Sequence, residues 1–550
     1  MDALKAMDIH AVEQLMRSHE SVKDAAVVSI RRDGADARLV GFVTLHEQAL
    51  ENQIATLGQS GDEYETGQVH LWESVFDRGI YAAIDRDVRP ETIGRDFTGW
   101  VSAYDGSPLD KVAMNEWLDD TIETILAYSN SGRLLNVLEL GTGSGMVLFS
   151  LTHHLGSYVG LEPSRKAVDF VTATAESIPE LANMVHVYQG TATDLPLLGS
   201  AAPDVVVINS VAQYFPSQTY LSEVVEGILQ LGSVQTIVFG DIRSYPLQRE
   251  FLVTKALHGA GGKEASKRVV RERISEMEQA EMELLVEPGF FTSLPDQFPH
   301  LVKHVSILPK KMEATNELSC YRYAAILHVS DQTQRGEEQQ QQQLASEIRE
   351  VVDDEWIDFV AHKLDRVTLS RRLVAATPNT MAVSNIPYSK TIFARHCLDS
   401  LAAGQGEEDD DSAWLASVRE SSQDSPSLSA SDLVRIAQEA GYQVEISWAR
   451  QRSQRGGLDA IFHRVQPSDT ISGGKVLFRF PTDHQARSPS TFSNQPLQQQ
   501  AKQTIQQQLF ETLEDQLDMD LVPEDILFLD TLPANADGKV NRQVLSDKGN

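Results

Sequence analysis

Hydrophobic and polar positions change rhythm several times along the chain, and each change marks an element. Near the start, Ile9, Val12, Leu15 and Met16 fall on one helical face. The apolar runs Ala25–Ile30 and Leu39–Leu45 then flank Asp33-Gly34, as a strand pair would. One helix and one hairpin enclose a poor core alone, so residues 1–50 are expected to complete themselves against a later segment. The polar stretch 51–68 reads as a linker. Residues 69–133 are aromatic and helical, with Trp72, Phe76, Tyr81, Phe97, Trp100, Tyr104 and Trp117.

From Leu134 short β-rich runs alternate with helical stretches: Leu135–Leu140, Tyr158–Leu161, Val185–Tyr188, Val205–Ile208 and Thr236–Phe239. That alternation predicts an α/β unit over 134–330, a mostly parallel sheet covered by helices. Val305–Leu308 and Tyr321–Leu327 read as a closing antiparallel pair. A Gln-rich linker, 331–347, leads to a second helical region, 348–468, with acidic and Ser-rich insertions at Glu407–Asp411 and Ser421–Ser429. In the last segment, 469–550, Lys475–Phe480 reads as a strand. Ile505, Leu509, Leu513 and Leu517 then recur every fourth residue along a helix.

Composition narrows the class. The 550 residues carry 47 Lys and Arg against 79 Asp and Glu, a net charge of −32. Such a chain lacks the cation excess that displaces counterions from nucleic acid, and it does not suit an anionic membrane surface. No apolar run approaches the ~20 residues of a membrane span, and MDALKAMDIH lacks a secretory pattern. Two cysteines, Cys320 and Cys397, make neither a disulfide framework nor a structural metal site, so a reducing, cytoplasmic location is expected.

The strongest chemical signal is Glu139-Leu140-Gly141-Thr142-Gly143-Ser144-Gly145, where the first strand of the sheet gives way to a helix. Glycines there allow a sharp turn and a close approach to a ligand. A dinucleotide site wants a small residue where Met146 stands, so that the helix packs closely under a pyrophosphate. Glu139 suits a cationic amino acid moiety better than a phosphate. S-adenosylmethionine has that moiety and no phosphate. Glu162 ends the second strand 21 residues after Gly141, where a carboxylate accepts ribose hydroxyls. Gly190–Asp194, with Thr193 and Asp194, follows the third strand as a candidate adenine contact. Asn209 ends the fourth strand, where the methyl group would face its acceptor.

These residues in this order resemble a class I S-adenosylmethionine-dependent methyltransferase. Further segments narrow the likeness: Gly94–Trp100, Ser102–Gly106, Met114–Trp117, Asn209–Pro216, Gly240–Ser244, Glu283–Val286, Asn316–Tyr323, Asn385–Lys390 and Ser447–Gln451. They resemble the N-methyltransferase domains of non-ribosomal peptide synthetases, fungal enzymes of cyclic peptides and depsipeptides above all. His19–Val27 with Leu39–Val43, and Pro533–Arg542, resemble the start and end of the small C-terminal subdomain of an adenylation domain. In such interrupted enzymes the methyltransferase is inserted into that subdomain, which implies that the strand at 475–480 joins the strands of residues 25–45 in one sheet with the final helix. The large adenylation core is absent and Asn541 stands where Asp is usual, so adenylation by this chain alone is not expected. Lys539 is carried over as the residue that would contact an acyl-adenylate.

The resemblance implies N-methylation of the α-amine of an aminoacyl thioester held on a phosphopantetheinylated carrier protein, with the adenylation core subdomain as a second partner. It puts Tyr214, Glu281, Glu283 and Asn316 forward as groups that orient or deprotonate the amine. Glu281 and Glu283, two apart, would not share a helical face. Tyr104 is the expected aromatic lid over the cofactor. A basic stretch, Lys263, Lys267, Arg268, Arg271 and Arg273, is a candidate for docking an acidic carrier. Methylation on oxygen or sulfur, and a non-catalytic fragment that only binds cofactor, remain as alternatives.

Overall fold

The computed structural model describes residues 2–549 apart from 31–37, 58–75, 83, 85–91, 98, 130–131, 260–264, 331–347, 353–354, 404–413, 465–475, 486, 489–490 and 536. Trp72, Lys263, the Gln-rich linker and the acidic insertion Glu407–Asp411 therefore lie outside the described residues, as does most of the linker 51–68.

The chain divides into two compact units, residues 69–494 and residues 1–68 with 495–550. At the centre of the larger is a seven-stranded sheet of β1 (Leu135–Leu140), β2 (Leu155–Glu162), β3 (Val185–Gln189), β4 (Val205–Asn209), β5 (Thr236–Arg243), β6 (Val302–Pro309) and β7 (Arg322–Val329). The order is β3-β2-β1-β4-β5-β7-β6. The first five strands run parallel and β6 and β7 pair antiparallel, as the sequence pattern predicts; β7 also pairs antiparallel with β5. β4 reads Val-Val-Val-Ile-Asn and is buried at every position, the pattern of a strand covered on both faces. Order reverses beside β1, and such a switch point opens a crevice at the carboxyl ends of β1 and β4. Helix α1 (Lys111–Tyr128), capped by the Asp110 carboxylate on the amides of Val112 and Ala113, buries Met114, Trp117 and Leu118.

Residues 348–468 are not simply helical. Ile348–Glu350 is a strand, and Trp356–Asp358, Thr380–Ile386, Gln443–Ser447 and Leu458–His463 form a separate four-stranded sheet flanked by helices. The apolar runs there are short and β-branched, and they bury themselves between strand and helix layers.

The smaller unit joins both ends of the chain. Val22–Ile30 and Arg38–Leu45 pair antiparallel, and the third strand is Asp525–Phe528, parallel to Arg38–Leu45. Val12, Met16, Val27 and Val43 pack with Ile505, Leu509 and Leu513, so the N-terminal piece does find its core in the C-terminal helix. The expected third strand, Lys475–Phe480, is elsewhere. Leu477–Arg479 pairs in parallel with Ile348–Glu350, and Leu477 and Phe478 are buried within the larger unit. The boundary thus falls at 494/495 rather than 468/469. The polar stretch after residue 46 likewise starts as a helix, Glu47–Leu57.

Candidate functional site

At the crevice, β1 ends in a turn that only glycine makes easily. Gly141 and Gly143 lie at φ +81° and +56°. A Cβ on Gly141 would fall 2.4 Å from Val211 Cγ2, and one on Gly143 would fall 2.9 Å from the Tyr81 hydroxyl. Two hydrogen bonds fix the loop to β2. The Gly141 amide donates to Leu161 O at 2.7 Å, and the Gly143 amide donates to Glu162 Oε2 at 2.8 Å. The other Glu162 oxygen accepts from the Ser164 amide at 2.9 Å.

A cavity of about 430 Å³ opens over this loop. Glu139, Gly141, Thr142, Gly143, Glu162, Asn209 and Tyr214, all picked out in the sequence, line it. Gly145 opens the following helix at φ +80° but does not line the cavity. Glu139 is buried and accepts from the Tyr158 hydroxyl at 2.5 Å. Burial pushes its carboxyl up to about 8, against the pull of that hydrogen bond. Burial also pushes the Tyr214 hydroxyl up, to about 12, so it keeps its proton at neutral pH.

The cavity's chemistry fits S-adenosylmethionine. Among its lining residues Glu162 and Glu283, joined by Glu139 once a cation displaces its proton, stand against one cation, Arg322, which suits a cationic ligand and not a pyrophosphate. Phe76, Tyr81, Trp100 and Tyr214 supply aromatic faces for a sulfonium. Asn209 Oδ1 and Gln213 Oε1 are buried there without a hydrogen-bond partner among the described residues. Such orphaned acceptors in a cavity wall match a polar ligand's donors.

Several expected contacts are placed otherwise. Tyr104 is not over the cavity; its ring stacks on His258 at 4.9 Å and Phe251 at 5.7 Å, both on helix α2 (Gln248–Gly259). Tyr81 and Trp100, from the same aromatic segment, line the cavity instead. Asp194 turns back on its own loop, accepting from the Thr191 amide and hydroxyl at 2.7 and 2.8 Å, and Thr193 bonds Thr191 at 3.1 Å. Gly190, Thr191 and Ala192 are the loop residues that reach the cavity. Asn316 caps a short helix, Glu317–Tyr321, through the amides of Leu318 and Ser319, which uses its side-chain oxygen structurally.

Glu281 and Glu283 follow the end of helix α3 (Lys267–Gln279) in non-helical chain, so the spacing argument against a shared face does not apply. Both converge on Arg243 of β5, which donates to Glu281 at 2.7 and 2.9 Å and to Glu283 at 2.7 Å. Burial pushes the Glu281 carboxyl up, but the Arg243 guanidinium and its hydrogen bonds outweigh it and hold the group below the usual range. The Leu284 amide donates to Gln213 O at 2.8 Å, bringing Glu283 beside the loop of Tyr214. A second cavity, about 260 Å³, is lined by Arg243, Glu281, Phe251, Leu252 and Met277. Ala103, Glu283 and Arg322 line both cavities. Arg322 is itself held by the fully buried Asp241 at 2.5 Å, which also accepts from Trp117 Nε1 and Ser210 Oγ. Arg243, Asp241 and Arg322 fall inside the segments that carry the resemblance, but nothing in their spacing signals a shared site.

The basic helix is largely committed internally. Arg271 donates to Leu401 O at 2.7 and 3.0 Å, Arg273 to Ala256 O at 3.3 Å, and Arg268 pairs with Glu272 at 3.1 Å. Lys539 lies in the smaller unit, 83% exposed, with Asp537 at 3.9 Å. No described helix is long and apolar enough to cross a membrane.

Comparison with known proteins agrees with this geometry. The methyltransferase domain family matches residues 138–232, from β1 through β4 and the helix after it. A nonribosomal peptide synthetase of Metarhizium robertsii is 50% identical over 544 residues, covering 98% of this chain and 6% of that protein. One from Alternaria alternata is 49% identical over 98% of this chain and 10% of its own length. The beauvericin nonribosomal cyclodepsipeptide synthetase of Gibberella fujikuroi is 44% identical over 97% of this chain and 16% of its own length. The chain therefore spans less than a fifth of these relatives. Among solved structures, the Synechocystis magnesium protoporphyrin IX methyltransferase with bound SAM covers 48% of this chain and 97% of its own, at 12% identity and a TM-score of 0.30. The chain carries a methyltransferase domain and is similar, along nearly its whole length, to one segment of the fungal nonribosomal peptide synthetases.

Proposed function

We propose that the larger unit transfers a methyl group from S-adenosylmethionine to the α-amine of an aminoacyl thioester presented on a phosphopantetheinylated carrier protein. The observation that carries this reading is the pair of adjoining cavities with Glu283 and Arg322 in the walls of both. When bound, S-adenosylmethionine supplies an electrophilic methyl on a sulfonium. The glycine loop, Glu139 and Glu162 would hold it, with Asn209 and Gln213 offering free acceptors.

The second cavity, whose apolar wall is Phe251, Leu252 and Met277, would receive the aminoacyl group. Glu283 accepts an N–H of the amine and aims its lone pair toward the first cavity; Tyr214, which stays protonated, adds a polar contact on that side. Alignment of two bound reactants accounts for up to roughly 7–11 kcal/mol of barrier in ideal cases. Arg243 keeps both carboxylates in place, a positioning role.

The smaller unit is read as the two halves of an adenylation C-terminal subdomain, with exposed Lys539 available to an acyl-adenylate held on an adenylation core subdomain. The test of the methyl-transfer reading is incubation with methyl-labelled S-adenosylmethionine and an aminoacyl N-acetylcysteamine thioester. Label should move to the thioester in the wild type and fall at least tenfold in Glu283→Gln; equal rates would remove Glu283 from the site.

A further inference from the structure

Where β5 pairs with β7, two arginines stand directly opposite each other, Arg243 on one strand and Arg322 on the other. Their surroundings differ. Arg243 is engaged by three hydrogen bonds to Glu281 and Glu283. Arg322 makes one among the described residues, to Asp241 Oδ2 at 2.5 Å. Its side chain is only 16% exposed and lines both cavities. A guanidinium carries several N–H donors beyond the one used here, and these are left for whatever occupies the cavities.

The anchor of this side chain is held in strained backbone. Ser210, just past the end of β4, and Asp241, near the end of β5, lie at φ +58° and +59°, left-handed conformations that residues with a Cβ avoid. The Ser210 amide donates to Gly240 O at 3.1 Å, joining the two strand ends. Ser210 Oγ then reaches Asp241 Oδ2 at 2.5 Å, and Trp117 Nε1 donates to Oδ1 at 3.1 Å. The buried carboxylate is thus fixed by two neighbours besides Arg322, and it fixes one edge of the guanidinium in turn. Strain gathered behind a side chain that faces cavities is the mark of a group whose aim matters.

Glu283 stands in the same two cavity walls and acts on the charge of Arg322, yet the two make no hydrogen bond or ion pair. Both also act on the Tyr214 hydroxyl. An acceptor and a donor held close but unjoined match a ligand that carries an amine beside a carbonyl. Lys255, the remaining cation of the second cavity, does not line the first and lies over the Phe251 ring at 5.9 Å.

We propose that Arg322 selects for an α-amino carbonyl group: it donates to the thioester carbonyl while Glu283 accepts from the amine, which sets the angle at which the nitrogen faces the cofactor cavity. Asp241 is the positioning residue behind it. This deepens the methyl-transfer reading and rests on it for the identity of the substrate.

The test compares wild type with Arg322→Lys, which keeps a charge beside Asp241 but loses the planar fork. Two ligands are used: the N-acetylcysteamine thioester of alanine, and the thioether in which a methylene replaces the carbonyl. Each is titrated in the presence of S-adenosylhomocysteine, and methylation of each is measured with S-adenosylmethionine. Wild type should favour the thioester at least tenfold in affinity and in kcat/KM. Arg322→Lys should shrink that preference at least fivefold and leave S-adenosylmethionine affinity within twofold. Comparing preferences cancels the greater basicity of the thioether's amine. A wild type without the preference overturns the proposal, as does an unchanged preference in the folded variant. A tenfold loss of S-adenosylmethionine affinity also overturns it, by placing Arg322 on the cofactor's carboxylate. Should Arg322→Lys not fold, Arg322→Met/Asp241→Asn removes both charges together and is read in the same way. If thioester binding shows the Arg322-dependent preference but no methyl is transferred, the carbonyl contact stands and the methyl-transfer reading fails.

Discussion

The Gly143 amide donates to Glu162 Oε2 at 2.8 Å, tying the glycine loop at the end of one strand to the carboxylate at the end of the next. One residue thereby anchors the loop and forms the cavity wall. Glu162→Gln weakens a charge-assisted bond worth ~1.5 kcal/mol or more, so S-adenosylmethionine affinity should drop roughly tenfold. Gly143→Asp, at positive φ and against the Tyr81 hydroxyl, should reduce it further. Calorimetric titration reads both; wild-type affinity in Gly143→Asp would remove this cavity as the cofactor site.

Glu139 makes the protein pH-sensitive. Its carboxyl, raised by burial from 4.5 to about 8, binds its proton more tightly folded than unfolded. Its contribution to stability is therefore fully present below about pH 4.5 and is lost as pH rises toward 8. Glu139→Gln should flatten the decline of Tm over that interval. A cationic amino acid group binding beside Glu139 should expel its proton, so titrations near pH 7 in buffers of different ionisation enthalpy should report proton release that vanishes in Glu139→Gln. Unchanged release in the variant would rule out Glu139 as the source.

Arg243→Met leaves Glu281 and Glu283 without their shared cation. Breaking a fully buried pair costs ~3–5 kcal/mol; this cluster, partly open to the second cavity, should lose about 2–3 kcal/mol. In the wild type the depressed Glu281 group contributes stability above its unfolded value and loses it only as pH falls through its folded one. In the variant burial is opposed only by the hydrogen bonds from Gln248 and the Glu283 amide, so the Glu281 group binds its proton more tightly than in the wild type and the stability gap should widen as pH rises from about 4 to 7. Denaturant melts across that range check it, and a gap constant with pH would contradict the clamp.

The aromatic wall distinguishes two tyrosines. Tyr81→Ala should weaken S-adenosylmethionine binding roughly 3–30-fold, the scale of a lost cation–π contact of ~0.5–2 kcal/mol. Tyr104→Phe, stacked on α2 away from the cavity, should leave binding within about twofold. The reverse order would restore Tyr104 as the lid.

Residues adjacent in sequence were the legible ones. The glycine loop, Glu139 and Glu162 stand at strand ends as their sequence positions predict, because turn geometry and strand ends impose local constraints, and the alternating runs do form the parallel sheet. Tyr104 packs on α2 rather than lining the cavity, because an aromatic run shows which residues bury themselves but not which ring faces an opening. Asn316 and Asp194 followed the commoner fate of Asn and Asp at element ends, satisfying nearby amides. The Arg243–Glu281–Glu283 cluster joins a strand to chain nearly 40 residues later, and no periodicity reports such a contact. Leu477–Arg479 pairs with Ile348–Glu350 rather than with the strands of residues 25–45 for the same reason: a short apolar run states that it is buried, not against what.

The central claim is the transfer of one methyl group to the nitrogen of a tethered amino acid. Tandem mass spectrometry of an aminoacyl-loaded carrier, after incubation with this chain and S-adenosylmethionine, tests it most directly. The account predicts a gain of a single methyl, located on the α-nitrogen and formed at least tenfold more slowly in Glu283→Gln. A methyl found on oxygen or sulfur, or an unmodified carrier in the presence of cofactor-bound protein, would contradict it.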